Sequence, residues 1–260
     1  MSERKSQTTG YYSTEELLDK SSVSSLVVRL GIPAMFGQFF NILYSIVDRV
    51  FVGRIPETGG IALAGIGICA PALTAVTAFA YMIGIGGASC MSISLGQKNR
   101  KRAGEILGSA LLLLLGISVI VTAVLLAARR PVLYMLGCSD AMYPYAEVYF
   151  TIYICGTAAS LCGVGLNQFL LAQGFAKQGM LAVVIGAAAN VVLDPLLIFG
   201  CGMGVAGAAA ATVISQCAMA AYVLYQLCSR KMPIRLKICK LQWNLSRRIV
   251  AIGSMSFLIT

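Results

Sequence analysis

The chain of 260 residues contains no histidine, a single tryptophan and only 12% charged residues. Each shortage excludes something. Without imidazole there is no His-ligated zinc site and no histidine proton relay, so intramembrane proton handling would fall to carboxylates. Nine cysteines are present but no CxxC pair, which argues against a metal site. Cys69, Cys90, Cys155, Cys162 and Cys217 sit in apolar blocks and read as small packing residues. No Walker A or HExxH pattern occurs, so neither an NTPase nor a zinc peptidase is indicated. Soluble domains carry about 25% charged residues. Half that share leaves too little polar surface to face water on every side.

What is present is apolar. Hydrophobic residues make up 58% of the chain, and mean hydropathy is +0.82. They are gathered into blocks long enough to cross a bilayer, which takes about 20 residues. An all-α polytopic membrane protein follows. Six complete spans are expected at about Leu26–Val52, Ile61–Ile85, Ile106–Ala128, Tyr143–Leu166, Gly179–Phe199 and Val205–Cys228. The start of a seventh runs from Ile249 to Thr260, too short to cross, so the chain reads as a fragment or a truncated product. The expected organisation is a polar N-terminal segment 1–25, a six-helix bundle 26–228, a basic linker 229–248 and the seventh-helix start 249–260. The N-terminal segment mixes acidic and basic residues and does not resemble a signal peptide.

The net charge of +10 has no aromatic interleaving of the kind that nucleic acid binding uses. Its distribution instead sets topology. Segments 1–25, 96–105, 171–180 and 229–248 hold fifteen Lys and Arg, against Arg54, Arg129 and Arg130 on the other side. The positive-inside rule then puts the N-terminus in the cytoplasm. The basic linker, with Trp243, reads either as an interfacial amphipathic helix or as a plain basic loop. Membrane lipids are the expected neighbours of these basic segments.

Charges inside the apolar blocks carry the functional signal. Asp48 lies in the first and Asp194 in the fifth, each costing about 2.5–3.5 kcal/mol at a bilayer centre. Both helices run outward in this topology, which puts the two acids at similar depth in the outer half. Asn41, Tyr44 and Asp48 share one helix face at spacings of three and four, flanked by Gln38 and Ser45. Asn190 and Asp194 do the same on the fifth span. Pro195 follows, and is expected to kink the helix and free the carbonyl of Val191. Thr74, Thr77 and Tyr81 on the second span, and Thr212, Ser215 and Gln216 on the sixth, supply further polar stripes. Four polar faces imply one hydrated cavity able to hold a proton or sodium. Plainer readings stand beside this one. Asp48 could pair with Arg49 at the interface, Asp194 could cap its helix, and Tyr44 and Tyr81 could be aromatic-belt residues.

The run from Ile32-Pro33 through Asn41-Ile42-Leu43-Tyr44 to Val47-Asp48-Arg49 and Gly53 resembles the first helix of multidrug and toxic compound extrusion (MATE) transporters. So do Asn167-Gln168-Phe169 to Gly174, Asn190 to Gly200 and Gly204 to Ala209, in order and at matching spacing. The resemblance implies one lobe of a twelve-helix fold that exports organic cations in exchange for H+ or Na+, with the C-terminal lobe missing. It also implies an ion-coupling set of Asp48, Asn190, Asp194, Tyr44 and Thr212. The substrate cavity would be lined by Gln38, Asn41, Thr77, Tyr81 and Asn167. Phe175 departs from the family, which commonly has an acidic or amide residue there. No catalytic residue and no cofactor beyond the coupling ion are expected, and the location would be the bacterial cytoplasmic membrane. Two alternatives remain: a flippase for lipid-linked precursors, whose cavity would need cationic residues, and more distantly an intramembrane enzyme.

Overall fold

A computed structural model of the chain describes residues 23–56, 58–230, 232–236 and 242–259, without side-chain detail for 23–30, 34 and 255–259. Most of the expected N-terminal segment, and 237–241 of the basic linker, lie outside the described residues. The helices are α1 (Val23–Gly53), α2 (Gly59–Gly96), α3 (Arg100–Ala127), α4 (Arg129–Met135), α5 (Tyr143–Cys155) and α6 (Thr157–Ala172). They continue with α7 (Ala176–Pro195), a π-helical turn (Leu196–Gly200), α8 (Val205–Cys228) and α9 (Trp243–Ile259). No strand occurs among the described residues. That follows from the solvent, since in lipid every backbone polar group must be paired within its own segment.

Four helical segments are long and apolar enough to cross a membrane: α2, α3, α7 with its π turn, and α8. The pair α5–α6 makes a fifth if it is one bent span. This is a multi-pass membrane bundle. Contacts along the helices show that they alternate in direction. Gly65 of α2 faces Ala146 of α5, and Gly84 faces Gly165 of α6, so those helices run together. Gly156 faces Val213 of α8, and Gly163 faces Ala220, in the same sense. Between α1 and α7 the pairs are Gly37 with Met180 and Phe51 with Phe199, again parallel. Against these, α7 meets α8 antiparallel, Gly186 beside Met219 and Leu197 beside Gly207.

Small residues set how near the helices come. A Cβ at Gly84 would lie 2.7 Å from the carbonyl oxygen of Gly165. Gly86 and Gly253 play the same part where α9 crosses α2, each lying against the other helix's backbone. Without a hydrophobic drive between helices in lipid, such approach is what allows dispersion to hold them. Gly174 has φ +85°, the left-handed conformation needed for the sharp turn from α6 to α7.

Several boundaries differ from the expectations. The second helix continues past Ile85 to Gly96, and the third begins at Arg100, because both extend beyond the apolar core into the polar interface. The last helix begins at Trp243, ahead of Ile249, with Leu245 and Ile249 buried against the bundle. A bend of 56° falls between α5 and α6. It centres on Gly156, where Val213 of α8 occupies the space that a side chain would take. Pro195 marks a change of helix type. The helix widens from α to π after it, and the N–H of Cys201 donates to the carbonyl of Leu196 at 2.9 Å.

Gly84→Val should force α2 from α6 and destabilise the bundle by about 1–3 kcal/mol. Thermal unfolding in detergent, followed by a thiol-reactive dye reaching buried Cys69, Cys90 and Cys162, measures this. Gly116→Ala, where a Cβ meets nothing within 4 Å, is the matched control expected to unfold like the parent.

Candidate functional site

The parallel pairing of α1 with α7 brings the two acids of the apolar runs to the same end of the bundle. Asp48 is buried at 8% exposure and Asp194 at 0%. Their carboxyl groups are close enough to interact electrostatically. Asn190, one turn before Asp194, donates from Nδ2 to its Oδ1 at 3.2 Å. Oδ1 of Asp48, Oδ2 of Asp194 and Oδ1 of Asn190 are buried and find no hydrogen-bond partner among the described residues. Three acceptors from two helices, turned inward without donors, form an oxygen-rich site whose chemistry suits a proton or a hard cation. Arg49 lies within electrostatic range of Asp48 but makes no ion pair with it. Arg49 is exposed, and among the described residues the one ion pair joins Arg129 to Glu147 at 2.8 Å.

The main cavity, of about 570 Å³, lies between α1, α2, α6, α7 and α8. Gln38, Asn41, Tyr44, Thr77, Tyr81, Asn167, Asn190 and Thr212 all line it. A smaller chamber of about 400 Å³ adjoins it, sharing Tyr44, Thr74, Thr77 and Tyr153, and is lined also by Asp48, Arg49 and Tyr149. Asp48 thus opens to the side chamber. Asp194 lines neither cavity and is reached through Asn190. Tyr44 and Tyr81 both face the interior. Asp194 accepts from Asn190 within α7, and the π turn continues the helix past it. Thr77 Oγ1 donates to the backbone at Leu73 and Thr74, and Thr212 Oγ1 to Ala208, so both hydroxyls are partly engaged within their own helices.

Two residues at the centre were not anticipated. Tyr149 lies within hydrogen-bond reach of Thr212 and electrostatic range of Asp48. The hydroxyl of Tyr153 accepts from Gln216 Nε2 at 3.0 Å, and its ring stacks beside Tyr149 at 6.2 Å between centroids. Their spacing of four on α5 was a readable signal, since it puts both on one helix face.

The family model for MatE matches residues 33–196, more than half the chain and all of the stretch from Pro33 through Asp194. The chain belongs to the MatE family. Among its curated relatives is the multidrug export protein MepA of Staphylococcus haemolyticus, 26% identical over 244 residues. That alignment covers 93% of this chain and 53% of the relative. MepA of Staphylococcus aureus (strain NCTC 8325 / PS 47) is 23% identical, with 93% and 54% covered. The chain therefore spans about half the length of the curated relatives it matches. A solved MATE crystal structure in the bent conformation superposes with a TM-score of 0.87 at 26% identity, covering 95% of this chain and 55% of that one. A MOP superfamily transporter from Pyrococcus furiosus, described as having a binding pocket of reversed polarity, superposes with a TM-score of 0.86 at 25% identity, covering 96% and 55%. This MatE chain thus superposes on about half of each of those solved chains.

Asn190→Ala should strip Asp194 of its described side-chain donor and lower the stability of the purified protein by about 1–3 kcal/mol. Thermal unfolding in detergent checks it, and an unchanged midpoint would show that the Asn190–Asp194 contact carries no weight.

Proposed function

We propose that this chain is the six-helix N-terminal lobe of a secondary transporter that exports organic cations in exchange for H+ or Na+. In this reading α1 and the bent α5–α6 pair both span the membrane, and the N-terminus is cytoplasmic in a bacterial cytoplasmic membrane. The observation that carries the reading is the enclosed Asp48–Asn190–Asp194 constellation beside a polar, aromatic cavity free of lining Lys or Arg. Loading a proton or sodium there neutralises the carboxyls. The ion removes the cost of two like charges facing one another in an apolar bundle, and so favours whichever packing of α1 on α7 holds the acids together. Export then follows from differential affinity, because cargo and ion each prefer a different arrangement of one lobe. The aromatic rings of Tyr44, Tyr81 and Tyr153 give an organic cation faces to lie against.

A flippase for lipid-linked precursors would need cationic residues to meet its phosphates. The main cavity offers none, and Arg49 alone reaches the side chamber. An intramembrane enzyme would use the two acids as an acid–base pair on a bound substrate. Neither reading has an observation in its favour.

In proteoliposomes of the protein carrying both lobes, Asp48→Asn should reduce ion-driven efflux of a fluorescent organic cation to the level of empty vesicles. Membrane insertion should be unaffected. Normal efflux by that variant would end this reading.

A further inference from the structure

Where α2 passes to α3, a cavity of about 500 Å³ opens that shares no residue with the site above. Lys101, Arg102 and Glu105 line it from the start of α3, and Gln242, Asn244 and Arg248 from the start of α9. Three cations thus surround one carboxylate. None of them forms an ion pair among the described residues. Arg102 of α3 and Arg248 of α9 line this one cavity, and both come within electrostatic range of Cys90 on α2. Converging like charges are unfavourable unless an anion sits between them. Backbone dipoles add to the same sign. Asn99 caps α3 by accepting from the N–H of Arg102 at 3.0 Å, and the start of α9 opens onto the same space.

Depth decides what kind of anion fits. Trp243 lies between two lining residues and is 68% exposed. An exposed tryptophan at the end of a membrane helix sits at headgroup level. Leu245 and Ile249, both buried, hold the start of α9 in place beside it. We propose that this cavity binds the phosphate-bearing headgroup of an anionic phospholipid, with Arg102, Arg248 and Lys101 on the phosphate and Asn244 and Gln242 as neutral hydrogen-bonding partners. Basic pockets between membrane helices accept such headgroups. The lipid would tie α3 to α9 by bridging their two positive ends. Nothing in this depends on the transport reading.

Trp243 is the chain's one tryptophan, so its emission reports the site directly. In dodecyl maltoside micelles of the purified protein, phosphatidylglycerol with brominated acyl chains should quench Trp243 about fivefold more effectively than brominated phosphatidylcholine. The preference should vanish in R102Q/R248Q, checked by circular dichroism for intact helix, and weaken in K101Q, a surface change that leaves packing alone. Equal quenching by both lipids overturns the proposal, as does a preference that survives in folded R102Q/R248Q. If millimolar inorganic phosphate by itself shifts the emission and removes the preference, the pocket takes soluble phosphate and the lipid assignment falls.

Discussion

Two carboxyl groups from different helices, close enough to interact and held in no ion pair among the described residues, are the constraint around which this bundle is built. Asp48 on α1 and Asp194 on α7 meet because those helices pack in parallel, from Gly37 beside Met180 to Phe51 beside Phe199. A bundle with no acid at either position could pack the same rods with less cost. The unpaired oxygens of Asp48, Asn190 and Asp194 are then a requirement that something else must meet. That requirement separates a site from a scaffold, and it makes the packing of α1 sensitive to whatever meets it.

The rest of the bundle serves that enclosure. Glycines at 84, 86, 165 and 253 let α2, α6 and α9 approach backbone to backbone, which packs one wall closely. The opposite wall is α1, whose residues Met35, Phe36, Phe39, Ile42 and Ile46 are exposed outside the bundle. The bend at Gly156 turns α5 so that Tyr149 and Tyr153 reach the chambers, while α6 returns to pack with α2. The side chamber at Asp48 and the main cavity at Asn190 share Tyr44 and Tyr153, so phenol rings lie on the boundary between the two.

Much of this was legible in the residues. Helical class and most spans followed from apolar run length, and α8 begins and ends where the sequence places it, at Val205 and Cys228. Asp48 and Asp194 stand out because charge inside an apolar run is rare, and helical spacing of four ties Asn190 to Asp194. Eight of the ten polar candidates line the main cavity, while Asp48 lines the side chamber and Asp194 is sealed behind Asn190. The spacing of four puts Tyr149 and Tyr153 on one helix face, but spacing alone does not say whether that face lines a cavity or packs against a neighbour. The bend at Gly156 could not be read, since it depends on Val213 pressing from a different helix. At Pro195 the lost N–H was predictable, but the π turn that follows it was not, since it forms where Leu197 packs against Gly207 of another helix.

The account stands on Asp48 and Asp194 acting as one ion site. The direct measurement is a double-mutant cycle on ion binding by the purified protein, counting protons taken up or sodium bound per chain for Asp48→Asn, Asp194→Asn and the pair. A shared site predicts that either single change removes the binding and the second removes nothing further. Independent, additive losses from the two changes would contradict it.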